Sequence, residues 1–342
     1  MFLQSLATAF PPNSLTQAEC LALLKESAAF GRLKPSSQGL LQKILGGDSG
    51  ILRRQFCVDD PTGVVGLGAG ELHRIFETHA PELASRVLSD ACERAGVLPR
   101  EIAALLVCTC TGYLCPGLTS HVAERLGIGS GAFLQDLLGL GCGAALPMLE
   151  AARGILAARP GALVATVAVE VCSAAFFLND EPGVLVSLCL FGDGAAAALW
   201  RGPDLGGQFR FGGFRTIHLP QHREKIRFVN DGGFLKNQLH REVPVLAAGA
   251  VSELYESRTG EPDLVATHTG GRDVLDAIGC EIPGIDLAAS RAVLRDHGNI
   301  SSPSVLAAVE AGMKPETRRI WMAAFGAGFS AHCGELVRTD GA

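Results

Sequence analysis

Leu138-Gly-Leu-Gly-Cys-Gly-Ala-Ala145 is the stretch whose reading decides the fold. It follows the β-prone run Phe133 to Leu137 and leads into an Ala- and Leu-rich helical segment from about Ala144 to Ala158. Glycines on both sides of Cys142 let the chain make a tight strand-to-helix turn that exposes the thiol. There the sulfur faces the unpaired N–H groups and positive dipole end of a helix. Both favour a thiolate, lowering the pKa from about 8.5. An ordinary buried thiol is the plainer reading for any cysteine taken singly. Among eleven cysteines, this turn distinguishes Cys142 alone.

Outward from that turn, apolar runs alternate with helical patterns. Ile102 to Cys108 and Ala162 to Val169 read as buried strands, Gly117 to Leu126 as a helix, and Glu71 to Arg94 as a longer amphipathic helix ending near Gly96. Upstream, MFLQSLATAFPPNS reads as a first strand ending at Pro11-Pro12, and Leu15 to Phe30 as a helix after an Asn13-Ser14 cap. Leu185 to Trp200 holds two apolar runs broken by Phe191-Gly-Asp-Gly194. RGPDLGGQ after Trp200 marks a boundary, dividing the chain into halves 1–203 and 204–342. The second half repeats the devices: strand Leu264 to Thr267 enters His268-Thr-Gly-Gly271, helices follow at Leu287 to His297 and Ser304 to Gly312, and Ile320 to Phe325 leads to Gly326-Ala-Gly328. The class is α/β, and the pattern favours two related halves.

Composition excludes several functions. A formal charge of −6 and a pI near 5.9 offer no general basic excess for nucleic acid. The cysteines lack the paired CxxC spacing of a zinc site, so a reducing cytoplasm is the expected compartment. No stretch reaches the roughly 20 apolar residues of a membrane span, and the N-terminus lacks the charged start of a secretory signal.

A thiolate needs a partner that moves protons. His268 stands between a predicted strand end and Gly270-Gly271, where backbone can approach a ligand closely. Asn299, in His297-Gly-Asn-Ile-Ser-Ser302, precedes a helix, where a side-chain amide can donate to a developing oxyanion. Taken singly, a lone histidine such as His268 is more often a surface or satisfied residue, and Gly298-Asn299 reads simply as a turn and cap pair.

Together, GCG around Cys142, EVCSAAF from Glu170, LFGDGAAAA from Leu190, THTGG at His268, GNISS at Asn299 and AFGAG at Phe325 resemble the type III polyketide synthases of the chalcone and stilbene synthase family. The six blocks agree in order and spacing over nearly the whole chain. The resemblance implies the thiolase fold, two similar βαβαβαββ halves forming a five-layer αβαβα sandwich, as a homodimer. It also implies that Cys142 carries a starter acyl group, while His268 and Asn299 promote decarboxylation of a malonyl thioester and hold the enolate. Acyl-coenzyme A and malonyl-coenzyme A are then substrates, with no permanently bound cofactor and no metal. Phe191 matches the gatekeeping phenylalanine. Cys110, Thr111 and Ser301 match cavity-lining positions, and Cys115 the position that reaches across the dimer interface.

Departures from the family concern substrate. A second gatekeeping phenylalanine is replaced by Asn237 in the register of Arg241-Glu-Val-Pro244. The C-terminal loop loses a proline at Ala327, and the span between Phe191 and His268 is shorter than in plant members, which favours a bacterial-type enzyme. For the phosphates of coenzyme A the region keeps Lys43, Arg53 and Arg54, with Gly46, Gly47 and Ser49 where family cations are common. The basic stretch from Arg223 to Arg241, with Lys225, Arg227 and Lys236, is either a solvated loop or a landing surface for an acidic acyl carrier protein.

Three other readings share parts of this pattern. A type III β-ketoacyl-carrier-protein synthase has the same fold and triad, but its usual His-Gln-Ala-Asn block is absent. A catalytically silent thiolase-fold partner subunit predicts a damaged triad. A cysteine hydrolase needs admitted water, which an enolate-forming site has to exclude.

Overall fold

Ile102–Cys108 and Leu163–Glu170 are almost entirely apolar and buried on both faces, as parallel strands covered by helices require. The computed structural model describes residues 1–339. The chain begins with β1 (Phe2–Ala9), β2 (Asn13–Thr16), α1 (Gln17–Glu26), α2 (Ala28–Gly31), α3 (Pro35–Leu45) and β3 (Arg53–Phe56). The framework of the first half follows: α4 (Ala69–Ala95), β4 (Ile102–Cys108), α5 (Leu118–Leu126), β5 (Phe133–Leu137), α6 (Ala145–Ala158), β6 (Leu163–Glu170), α7 (Pro182–Leu190) and β7 (Gly194–Arg201). The second half holds β8 (Phe209–His218), β9 (Ile226–Asp231), β10 (Phe234–Leu239), α8 (Val243–Glu256) and β11 (Leu264–Thr267). It closes with α9 (Arg272–Glu281), α10 (Ala288–His297), α11 (Ser304–Gly312), β12 (Arg319–Gly326) and β13 (Ser330–Arg338).

The strands run β11-β12-β13-β8-β1-β7-β6-β4-β5. The order reflects two half-sheets, joined only where Phe2 and Leu3 of β1 pair with Arg210 and Phe209 of β8. Three apolar clusters give the layers. One packs α4 and α5 on the outer face of the first half-sheet, through residues such as Leu88, Val122 and Val167. The middle cluster buries α6 and α11 between both half-sheets, through Leu149, Val305, Leu106 and Met322. A third packs α8 and α9 on the far face, through Val251, Leu275 and Trp321. Helix, sheet, helix, sheet, helix is the five-layer sandwich the sequence led us to expect. Among the described residues no helix is long and apolar enough to cross a membrane.

Two details differ from expectation. The second half contributes four strands to the sheet where the first contributes five, because the chain from α9 to β12 passes through α10 and α11 with no strand between them. Near the N-terminus, Asn13 and Ser14 do not cap a helix; they pair with Phe56 and Gln55 as extended chain. The cap is Thr16, which with Glu19 forms a reciprocal capping box. The helix then stops at Ser27, whose hydroxyl instead accepts from the Phe30 N–H and starts α2.

Candidate active site

Cys142 lies in a single helical turn, Gly141–Gly143, between β5 and α6. Gly141 has φ +58°, a left-handed conformation that favours glycine, and a Cβ there would come within 2.9 Å of the Ala327 backbone nitrogen. Across the contact, a Cβ on Gly326 would sit 2.6 Å from the Gly143 nitrogen. The two glycine-rich turns therefore lie backbone against backbone, which fixes Cys142 at the inner end of α6.

The Ser301 hydroxyl stands 3.2 Å from Cys142 Sγ, 3.1 Å from Cys110 Sγ and 3.2 Å from Glu170 Oε1. Ser301 holds φ +56°, the only left-handed non-glycine among the described residues, and so turns its side chain into this cluster. The Cys110 thiol and His268 hold Cys142 well below the usual thiol range: hydrogen bonding from Cys110 is the larger influence, followed by the charge of His268. Burial opposes both but does not win. Cys110 is pushed the opposite way, chiefly by donating to Cys142. Of the two thiols Cys142 is thus the one that ionises more readily, while the Cys110 S–H also lies 3.4 Å from Glu170 Oε1, which accepts it.

His268 is buried, its Nδ1 2.6 Å from Ser304 Oγ. Ser304 donates its only hydroxyl proton to the Ser301 carbonyl at 2.7 Å. Its oxygen can therefore only accept from the ring, so His268 carries its proton on Nδ1. Nε2 is left without a proton and free to accept one. Phe325 packs edge-on against the ring at 5.0 Å.

Asn299 is buried, and its Oδ1 accepts from the Ser301 N–H at 2.9 Å. That bond assigns the NH2 end: one hydrogen lies toward the Gly270 carbonyl at 3.4 Å, and the other has no partner among the described residues. The backbone of Asn299 bridges the end of α7, accepting from Gly192 N–H at 3.1 Å and donating to Leu190 O at 2.9 Å. Phe191 is thereby held beside Asn299.

A narrow, largely apolar cavity opens next to this cluster, lined by Cys110, Thr111, Phe191, Asn237 and Ser301 among others. The five positions expected to gate or line the cavity thus share one space. Cys115, expected at a dimer interface, is exposed on this chain and precedes a cis Pro116.

Of the three proposed phosphate ligands, Lys43 and Arg53 are exposed and Arg54 is buried. Arg54 donates to Gln17 Oε1 at 2.9 Å and to the Leu188 and Phe191 carbonyls at 2.7 Å each. It satisfies the open carbonyls at the C-terminus of α7, which lie at the negative end of the helix dipole, so its place as a phosphate ligand is withdrawn. The basic stretch is also less free than its composition suggests. Arg223 and Arg227 pair with Glu224, Lys225 with Glu242, and Lys236 with Glu181 and Asp231.

The sequence reading missed Glu170 as a site residue. The last residue of β6, it is fully buried and accepts from Cys110 N–H at 3.0 Å, Thr111 Oγ1 at 2.9 Å and Ser302 Oγ at 2.6 Å. Burial raises its pKa despite these bonds. The signal was a carboxylate closing an otherwise apolar strand. Among the described residues no group of three His, Cys, Asp or Glu side chains is arranged to hold a metal ion.

A family model described as "FAE1/Type III polyketide synthase-like protein" matches residues 10–203. A 3,5-dihydroxyphenylacetyl-CoA synthase of Streptomyces toyocaensis is 31% identical over 77% of this chain and 73% of its own. The chain belongs to the type III polyketide synthase family. A phloroglucinol synthase of Pseudomonas fluorescens is 28% identical over 79% of this synthase and 82% of its own length. In structure, the synthase superposes on the 1,3,6,8-tetrahydroxynaphthalene synthase of Streptomyces coelicolor with a TM-score of 0.88, at 25% identity and covering 100% of both chains. Its fold is the thiolase fold, and its activity is that of an acyltransferase.

Proposed function

We propose that Cys142 carries the starter acyl group as a thioester and that His268 and Asn299 hold the enolate of the extender. The observation that carries this reading is the buried Cys142 thiol on its glycine-flanked turn at the head of α6, 3.2 Å from Ser301 Oγ and beside an apolar cavity, where Cys110 and His268 also lower its pKa. The Cys142 thiolate attacks the starter thioester; the carbonyl–sulfur bond to coenzyme A breaks, and coenzyme A leaves as a thiolate that takes its proton from solvent. His268 therefore keeps the proton it took from Cys142 on Nε2. When malonyl-coenzyme A loses CO₂, the electron pair of the broken carbon–carbon bond becomes an enolate, whose oxygen the Nε2–H of His268 and an N–H of Asn299 stabilise. The enolate carbon attacks the acyl thioester, and Cys142 departs as a thiolate. Phe191 and the apolar wall favour neutral CO₂ over a carboxylate.

Repeated extension and cyclisation to a resorcinol- or phloroglucinol-type ring follow from the products named for the relatives above. Coenzyme A thioesters are the donors we favour, with Lys43 and Arg53 toward their phosphates, because acidic partners already match the hairpin cations that would receive a carrier protein. We read residues 1–203 and 204–342 as the two thiolase-like halves. A homodimer suits the outer edge of β5, where Phe133, Leu134, Leu138 and Tyr113 are exposed near Cys115. Eleven free thiols suit the cytoplasm.

Incubation with malonyl-coenzyme A and a panel of acyl thioesters, read by mass spectrometry, tests the reading. Pyrones or resorcinols support it, a single β-ketoacyl thioester indicates one condensation only, and free acid alone indicates a hydrolase. Cys142→Ala should abolish covalent acyl labelling; persistent labelling would move the nucleophile elsewhere.

A further inference from the structure

The cavity wall away from Cys142 is apolar, built by Phe176, Phe177, Val184, Leu188 and Leu235, with one polar interruption. Asn237 of β10 and Ser187 of α7 both line the cavity and are joined by a hydrogen bond of 2.9 Å. Ser187 donates its single proton to the Gly183 carbonyl at 2.6 Å. Its oxygen can then only accept, so Asn237 has to offer its NH2 group to it. This assigns the amide: the carbonyl Oδ1 is the other end, and among the described residues it receives no hydrogen bond. Asn237 is nonetheless only 9% exposed. Oδ1 itself keeps contact with solvent, and an acyl group that fills the cavity Asn237 lines would displace that water and has then to supply the donor in its place.

The pair is rigidly placed. Gly183 lies so close to β10 that a Cβ there would sit 2.9 Å from the Asn237 carbonyl oxygen. The neighbouring Lys236 is tied to Glu181 and Asp231. The Phe191 N–H donates to the Ser187 carbonyl at 3.0 Å, which sets the pair one helical turn behind Phe191. Phe191 is in turn bridged to Asn299. The amide is therefore fixed relative to the reacting centre, through one turn of α7 and the Phe191–Asn299 bridge.

We propose that Asn237, clamped by Ser187, is a specificity-determining acceptor that selects acyl groups carrying a distal hydroxyl over their alkyl counterparts. The inference rests on the acyl-loading reading of Cys142 and adds the substrate class. Phenol, enol and alcohol groups supply the missing donor; a saturated chain leaves Oδ1 buried and unpaired, a mismatch that sites built to bind a hydroxyl discriminate against strongly.

The test uses coenzyme A thioesters from butyryl to octanoyl, each with and without a terminal hydroxyl, and para-hydroxyphenylacetyl against phenylacetyl. Condensation with malonyl-coenzyme A gives kcat/KM for each pair. The wild-type protein should favour the hydroxylated member by about tenfold or more at one chain length or in the aryl pair. Asn237→Leu should bring that ratio close to one, and Ser187→Ala, which releases the amide, to an intermediate value. Because the ratio is taken within each variant, and Cys142 alkylation reports the fold of each, a partly unfolded variant does not imitate the result. Equal turnover of every pair by the wild type, or an undiminished ratio in Asn237→Leu, overturns the proposal while leaving the condensation reading intact. Absence of condensation with every thioester overturns both.

Discussion

Ser304 accepts the Nδ1 proton of His268 at 2.6 Å while giving its own proton to the Ser301 carbonyl, so one hydroxyl fixes both the tautomer and the loop that carries Asn299. In Ser304→Ala the ring is free to carry its proton on Nε2, where it cannot accept the Cys142 proton. We expect kcat to fall by about a hundredfold. The pH profile of Cys142 alkylation by iodoacetamide should move up toward that of an ordinary thiol. An unchanged profile would show that the tautomer is set elsewhere.

Cys110 is the larger of the two influences that lower the Cys142 pKa. The wild-type protein should therefore alkylate readily below the pH at which a free cysteine ionises, about 8.5. Cys110→Ala should shift that titration upward, because His268 remains but the thiol donor is gone. Cys110→Ser, which keeps a donor, should restore most of the wild-type profile. Equal shifts in both variants would assign the effect to packing.

The strand–turn–helix around Cys142 was legible because local chemistry, glycines flanking one cysteine between a β run and a helical run, determines it. The cavity positions were legible through ordered motif blocks, which brought Cys110, Thr111, Phe191, Asn237 and Ser301 to one space. Arg53 and Arg54 could not be told apart by composition. Adjacent residues on β3 face opposite ways, and only tertiary packing decides that Arg54 turns inward to α7. The hairpin cations misled for a similar reason, since Glu181 and Glu242, which pair with Lys236 and Lys225, lie far from them in sequence or on another element. The hydroxyl of Ser304, a helix-starting residue in the sequence, gains its role only where two loops meet.

Arg54 and the exposed pair Lys43 and Arg53 give opposite expectations. Removing Arg54 leaves the Leu188 and Phe191 carbonyls without their donor, so Arg54→Ala should cost about 3 kcal/mol of stability, read from the urea midpoint. Arg54→Lys should recover little of this, because an ammonium cannot reproduce the guanidinium fork. The double variant Lys43→Ala, Arg53→Ala should leave the midpoint unchanged within about 0.5 kcal/mol. It should raise KM for coenzyme A thioesters several-fold at low salt, less so as ionic strength grows. An Arg54 variant that kept its stability and changed only KM would return that residue to the phosphate site.

Glu170 titrates above its ordinary 4.5 because it is buried. The folded state thus binds more protons than the unfolded chain from about that pH up to the raised folded value. Stability should fall as pH rises through this window, since the slope follows the proton excess of the native state. Glu170→Gln removes the titration and keeps an oxygen for the Cys110 N–H and Thr111 hydroxyl; the Ser302 hydroxyl can turn to accept from the new NH2 group. The variant should lose the downward slope in denaturation midpoint against pH, measured across the acid range, while retaining Cys142 alkylation. Glu170→Ala leaves the Cys110 N–H and the hydroxyls of Thr109, Thr111, Ser301 and Ser302 facing a void and should destabilise by about 2–3 kcal/mol. If the slope persisted in Glu170→Gln, another buried group, with Asp193 the first candidate because burial raises it likewise, would be its source.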